Sequence, residues 1–229
     1  MAAPTLQDAD APASYASSSP ITMPAMTIAA DDILVICVEG ASGSYAATGF
    51  TEKTTFSTGS STGAILYKRA VGSETTINVT FSGVWCNGFW FAVRGCITSG
   101  DPFDVVATAS TGTGTTVSLT AATTTVADTF VVAFSQGADG YDASSGYPPS
   151  GYTGIINAAS GAGTAAYKTQ ASAGTTGTTG WTLSGSEPAW HGTIFALKPP
   201  ADAGDPEIAL IRGGKLVNGG LLLKGGLVG

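Results

Sequence analysis

Apolar residues in this chain gather into short runs separated by glycine, serine and threonine, with the length and rhythm of β-strands. Ile33-Leu34-Val35-Ile36-Cys37-Val38 is continuously apolar between Asp31-Asp32 and Glu39-Gly40, which predicts a strand covered on both faces. Thr75-Thr76-Ile77-Asn78-Val79-Thr80-Phe81 alternates instead, which predicts one wet and one buried face. Further strands are expected at Ala64 to Lys68 and Phe89 to Arg94. Pro20 and Pro24 bracket Ile21-Thr22-Met23 and confine that piece to a sheet edge or an extended lead-in. Ala, Leu, Glu and Lys never gather into a helical window, so an all-β chain with almost no helix is expected.

The programme is written twice. Ala30-Asp31-Asp32-Ile33-Leu34-Val35 corresponds to Ala127-Asp128-Thr129-Phe130-Val131-Val132, an offset of 127 − 30 = 97 positions. Gly49-Phe50-Thr51 corresponds to Gly151-Tyr152-Thr153 (151 − 49 = 102), and Tyr67-Lys68 to Tyr167-Lys168 (167 − 67 = 100). Phe91-Ala92-Val93-Arg94 corresponds to Phe195-Ala196-Leu197-Lys198 (195 − 91 = 104). Order is kept, and the offsets drift only by loop-sized insertions. The period is too long for a solenoid, whose units run about 20–50 residues.

This organisation reads as a lead-in or edge strand over residues 1–28, an internally duplicated β-sandwich of jelly-roll-like topology over 29–199, and a tail over 200–229. The half-repeats fall near 29–98 and 126–199 and are expected to bury their apolar faces against each other. Two separate immunoglobulin-like domains are the competing layout. The short connection from Gly95 to Ser110, with no charged or Pro-rich linker, favours one domain. After Lys198-Pro199-Pro200 comes a six-residue repeat beginning Gly-Gly at Gly213, Gly219 and Gly225. Leu216, Val217, Leu221, Leu222, Leu223, Leu227 and Val228 are its apolar positions, too few to form a core alone, and are read as an assembly or anchoring element.

Composition sharpens the picture. Only 11% of residues are charged, against roughly 25% in ordinary soluble domains, so solubility falls to Thr, Ser, Asn and the 32 glycines. A net charge of −7 with nine scattered Lys and Arg argues against nucleic-acid or anionic-membrane partners, which need clustered cations. No apolar run reaches the roughly 18 residues of a membrane span, and Met1-Ala2-Ala3-Pro4 lacks a secretory signal's basic and apolar regions. Cys86 and Cys96 would lie roughly 33 Å apart along one strand, far beyond disulfide reach, and all three cysteines are read as small core residues.

Candidate chemistry is sparse. His191, the only histidine, lies in Trp190-His191-Gly192 just before the last expected strand, as a loop or edge residue. No Gly-x-Ser-x-Gly elbow stands in a strand-turn-helix context. Asp101 with Asp104, and Asp139 with Asp142, offer oxygen ligands for calcium, but neither pair fits the EF-hand spacing. No cofactor, metal or catalytic residue is assigned. The segment from Gly137 to Tyr152 offers Asp139, Tyr141, Asp142, Tyr147 and Tyr152 for ligand or receptor contact, because rings stack on sugars while carboxylates accept hydroxyl hydrogen bonds. Trp85, Trp90, Trp181 and Trp190 are assigned to the core.

The motif order Ala30 to Val35, Gly49-Phe50-Thr51, Ala64 to Lys68, Gly180-Trp181-Thr182-Leu183-Ser184-Gly185 and Thr193 to Pro199 resembles tailed-bacteriophage and prophage virion proteins over roughly residues 20 to 199. The resemblance implies a non-enzymatic β-sandwich on a phage particle, as a surface decoration, fibre or tail-tip component. It further implies other virion proteins as partners, a homo-oligomer such as a trimer, and contact with host-surface glycan. A carbohydrate-binding or adhesion module of a bacterial extracellular protein is the alternative.

Overall fold

The computed structural model describes residues 2–59, 61–137, 142–158, 163–185 and 189–200. The tail repeat, with Leu216, Val217, Leu221, Leu222, Leu223, Leu227 and Val228, lies outside the described residues, as do Asp139 and Tyr141. The described chain is all-β, with no helix. The first half contributes β1 (Thr5–Asp10), β2 (Ile21–Met23), β3 (Ala30–Gly40), β4 (Tyr45–Ala47), β5 (Thr51–Ser57), β6 (Thr62–Val71), β7 (Ile77–Phe81) and β8 (Cys86–Arg94). The second contributes β9 (Phe103–Val106), β10 (Ser110–Thr113), β11 (Thr116–Leu119), β12 (Thr123–Thr124), β13 (Thr129–Gly137) and β14 (Ala143–Ser145). It continues with β15 (Thr153–Ala158), β16 (Gly163–Gln170), β17 (Gly174–Thr175), β18 (Thr179–Leu183) and β19 (Ala189–Leu197).

Each half is a large sheet, of five strands in the first half and six in the second, covered by a three-stranded one. In the first half the orders are β1-β8-β3-β6-β5 and β2-β7-β4; in the second they are β10-β19-β13-β16-β15, with β9 also on β19, and β11-β18-β14. Replacing β8, β3, β6 and β5 by β19, β13, β16 and β15 converts one large sheet into the other. The backbone repeats in detail. Among the described residues the two non-glycine residues with positive φ are Asp31 (69°) and Asp128 (55°), 97 positions apart, and Gly49 and Gly151 take φ of 78° and 79° before β5 and β15. Both of these edge strands carry a bulge at matched places, between Glu52 and Thr54 and between Gly154 and Ile156.

The two large sheets pack face to face, and each small sheet covers an outer face, giving four layers. Along β3, Ile33, Val35 and Cys37 point into the central seam while Leu34, Ile36 and Val38 point to the first small sheet. Along β13, Phe130, Val132 and Phe134 face the seam while Val131 and Ala133 face the second small sheet. Every one of these residues is fully buried. This explains why the sequence shows unbroken apolar runs there: alternate side chains enter different cores, and both cores are dry. The seam holds seven of the nine phenylalanines, with Phe134 against Phe56, Phe89 and Phe195 at ring-centroid distances of 5.7, 6.1 and 6.2 Å. Such rings dominate core energetics, so the seam is the centre of the fold.

The alternating segment behaves as its pattern demands, with Val79 and Phe81 buried and Asn78 and Thr80 exposed. Ile21-Thr22-Met23 forms the edge strand of a small sheet. The first 28 residues thus supply two edge strands, β1 and β2. Their counterparts in the second half are the β9–β10 region and β11, which extend the second repeat back to Phe103. Ser110–Thr113 is short and polar with no buried position, so periodicity could not mark it. The connection from β8 to β9 is tied down where Ile97 donates its amide to the Lys198 carbonyl (3.2 Å) and Lys198 donates to that of Pro102 (2.8 Å).

Two expected boundaries move. Asp32 and Glu39, read as polar edges of the apolar run, are both fully buried inside β3. Asp32 is satisfied there by a two-pronged ion pair, Arg94 Nε and Nη2 donating to its carboxylate at 2.8 and 2.9 Å, and by the Ala29 amide at 2.8 Å. That pairing offsets the cost of burying a carboxylate. Cys37, Cys86 and Cys96 are free and buried, as their core assignment requires.

Candidate functional site

The polar exception to the dry seam sits at one of its ends. Glu39 on β3 is the cross-strand partner of Asn87 on β8, and Gln136 on β13 is the cross-strand partner of His191 on β19. Gln136 stands 136 − 39 = 97 positions after Glu39, and His191 stands 191 − 87 = 104 after Asn87, the offsets of those same strands in the duplication. The constellation is therefore one site made from two copies of the same positions. All four residues are buried, with Glu39 and His191 at 0% exposure.

Alternation places these side chains. Glu39 follows Val35 and Cys37 on the seam face of β3, and Gln136 follows Val132 and Phe134 on β13. Gln136 Nε2 crosses the seam to donate to the Cys37 carbonyl at 3.2 Å. The His191 ring stacks on Phe56 of the other half, centroids 5.6 Å apart and planes within 19°. Its Nε2 lies 4.0 Å from Glu39 Oε2. Beneath it lies Gly63, where even a methyl group would come within 2.5 Å of Nε2; the absence of a side chain on β6 makes room for the imidazole. Gly163, the matching residue on β16, is likewise roofed by Gln136 and Phe89, whose atoms would stand 2.8 and 3.1 Å from an added Cβ.

Neither ring nitrogen of His191 has a hydrogen-bond partner among the described residues. Burial alone holds its pKa down to about 4, so the imidazole is neutral at pH 7. The imidazole is enclosed beside the Glu39 carboxyl group, which at 4.0 Å is beyond hydrogen-bond reach. His191 is thus neither a loop nor an edge residue. Strand β19 runs through it, flanked by β13 and β10, because the polar end of the strand is roofed by the opposite sheet.

Of the residues singled out for ligand contact, Asp142, Tyr147 and Tyr152 lie among the described residues, each with its own local partners. The segment that holds them contains the edge strand β14, the counterpart of β4. Asp142 accepts a hydrogen bond from Ser184 Oγ. Tyr147 packs edge-on against Trp181 with centroids 6.1 Å apart, and its hydroxyl lies 2.8 and 2.7 Å from the carbonyl oxygens of Ile156 and Ala165. Tyr152 carries Lys168 Nζ 4.9 Å from its ring centroid, and burial pushes its phenol up to about 12. These tyrosines brace the second small core. Asp101 and Asp104 do not converge: the first pairs with Lys53 and the Phe103 amide, the second with Thr125. Among the described residues no group of three or more His, Cys, Asp and Glu could hold a metal. Trp90, Trp181 and Trp190 are buried, while Trp85 is half-buried.

Glu39, Asn87 and Gln136 were not singled out by the sequence. The usable signal was the pair of matched endings Glu39-Gly40 and Gln136-Gly137, polar residues closing two equivalent buried runs at the same offset. No family model matches this chain, and neither does a curated protein or a solved structure.

Proposed function

We propose that this chain is a non-enzymatic structural or adhesive component of a phage particle, a decoration, fibre or tail-tip protein. The observation that carries the non-enzymatic reading is the sealing of the only imidazole and its neighbouring carboxyl group at 0% exposure in the seam, where they are packing partners rather than groups presented to a substrate. Catalytic acid–base pairs must come within hydrogen-bond reach of the proton they move. A scaffold with both faces of both large sheets committed to cores resists deformation, which suits a mechanical role. The phage setting rests on the motif order from residue 20 to 199.

The test is quantitative mass spectrometry of phage particles purified from lysates of the strain that encodes the chain. The expected result is this chain in fixed stoichiometry with other virion proteins. Recovery only as a free monomer that binds glycans on an array would overturn the reading in favour of an extracellular carbohydrate-binding module.

A further inference from the structure

We propose that the carboxyl-terminal end of β5 is an acid-released flap, latched at neutral pH by the stacking of Phe56 on His191 across the seam. Strand β5 is the edge of its sheet and is held on one side only, by β6. Its two ends are secured differently. Near the start, Lys53 pairs with Asp101 at 2.5 Å and lies over the Phe103 ring at 4.9 Å. Near the end, Phe56, 5% exposed, bridges to the second half by resting on His191 and on Phe134. The first anchor is an ion pair, the second a contact with a titratable ring.

The surroundings of that ring decide what protonation does. Among the described residues, β3 presents Glu39 and, one step along the seam face, Cys37, whose thiol burial pushes well up. From β5 comes Phe56, from β6 Gly63, from β13 the cross-strand partner Gln136 and from β10 the cross-strand partner Thr111. Glu39 is the one carboxyl group in this set, and its Oε2 stands 4.0 Å away, too far for a hydrogen bond. An imidazolium here would be fully buried with no hydrogen-bond acceptor among the described residues, and the attraction of Glu39 at 4.0 Å does not by itself offset that desolvation; swinging Phe56 aside to admit water is the shortest route to hydrating it.

The size of the effect separates a flap from wholesale opening. With the closed-state value at about 4 and the ordinary value at 6.5, the open-to-closed ratio rises about 100-fold between pH 7 and pH 4 and approaches ~300-fold below that. The sign is fixed: the open state binds the proton more tightly, so the latch is strongest above pH 6.5 and weakens as pH falls to 4. Such a factor competes with one edge-strand ring but not with a core holding seven phenylalanines. Asp101 stays ionised over that window. Burial works against its charge, but hydrogen bonds from Lys53 and the Phe103 amide and the lysine charges prevail and hold it below its ordinary value, so the hinge end remains pinned.

Hydrogen exchange of the full chain, corrected for intrinsic rates, tests this between pH 7 and pH 4. Protection of Thr55, Phe56 and Ser57 is expected to fall about 100-fold while that of Phe130 to Phe134 on β13 does not. In His191→Asn, which installs the residue found at the matching position 87, the fall is expected to vanish. An equal fall in the variant, or an equal fall on β13, overturns the proposal. Should the variant not fold, NMR titration of His191 in the unaltered chain replaces it: the imidazole midpoint is expected to coincide with the loss of β5 protection, and midpoints more than about one pH unit apart overturn it.

Discussion

Replacing Gly63 by alanine asks whether the imidazole is truly packed against the β6 backbone. An ideal Cβ there would lie 2.5 Å from His191 Nε2 and 2.8 Å from the Val38 carbonyl oxygen. Ordinary contact begins near ~3.5 Å, so the ring or the strand must retreat by about 1 Å. The ring has little room, since Phe56 is stacked on its face, and the strand has little too, since Gly63 stands in register between Glu39 of β3 and Phe56 of β5. Overpacking of this kind costs about 1–3 kcal/mol, and the reduced entropy of the unfolded chain returns about 0.4–1 kcal/mol. A net loss of about 1.3 kcal/mol is expected, read by urea unfolding followed through tryptophan fluorescence. In a His191→Ala background the larger clash is gone, and the cost of Gly63→Ala should fall by about 1 kcal/mol as a coupling between neighbours. A loss within about 0.5 kcal/mol, the range of an indifferent surface change, would refute the packing described.

Three further outcomes follow from the same geometry. Phe134→Ala removes a fully buried ring that touches aromatic partners from both halves and should cost about 3–5 kcal/mol in urea unfolding; a loss under about 1 kcal/mol would show the seam to be loosely packed. Glu74 is pushed up by burial, but hydrogen bonds from Lys68 and the Val71 amide outweigh this and bring it from 4.5 to about 2. Its contribution to stability is therefore complete above pH 4.5 and lost as pH falls towards 2, and Glu74→Gln should flatten that part of a stability-against-pH curve, an unchanged curve counting against the pairing. Cys37, Cys86 and Cys96, free and buried, should resist a thiol reagent in the native protein and all react in urea; rapid labelling without denaturant would contradict their placement.

Strand positions with two dry faces were the most legible part of this fold, because Ile33 to Val38 sends alternate residues into two cores and no polar residue interrupts it. The duplication was legible for the same reason: strands that must fill the same layers keep the same runs. What the sequence concealed lay at the ends of those runs. Asp32 and Glu39 look like strand boundaries by polarity, but one is paired with Arg94 and the other is roofed by the opposite sheet, and both facts depend on residues far away in the chain. The same holds for His191, whose neighbours in sequence say nothing of Phe56 and Gly63 above and below it. Edge strands such as Ser110–Thr113 escaped because a polar strand with one paired side has no periodic signature. Tyr147 and Tyr152 drew notice for their chemistry; what the sequence could not show is that both rings pack against the second small core and that the Tyr147 hydroxyl is held by the carbonyl oxygens of Ile156 and Ala165.

The two halves meet through their large sheets, and NOE spectroscopy of a phenylalanine-labelled sample tests that contact most directly. Phe89 and Phe91 belong to the first half, Phe134 and Phe195 to the second, with centroids 6.1 Å apart for Phe89 and Phe134 and 6.4 Å for Phe91 and Phe195. Cross-peaks between the ring protons of both pairs are the expected result. Their absence, while the pair Phe89 and Phe91 within the first half still gives its own cross-peak, would mean that the halves do not share a core.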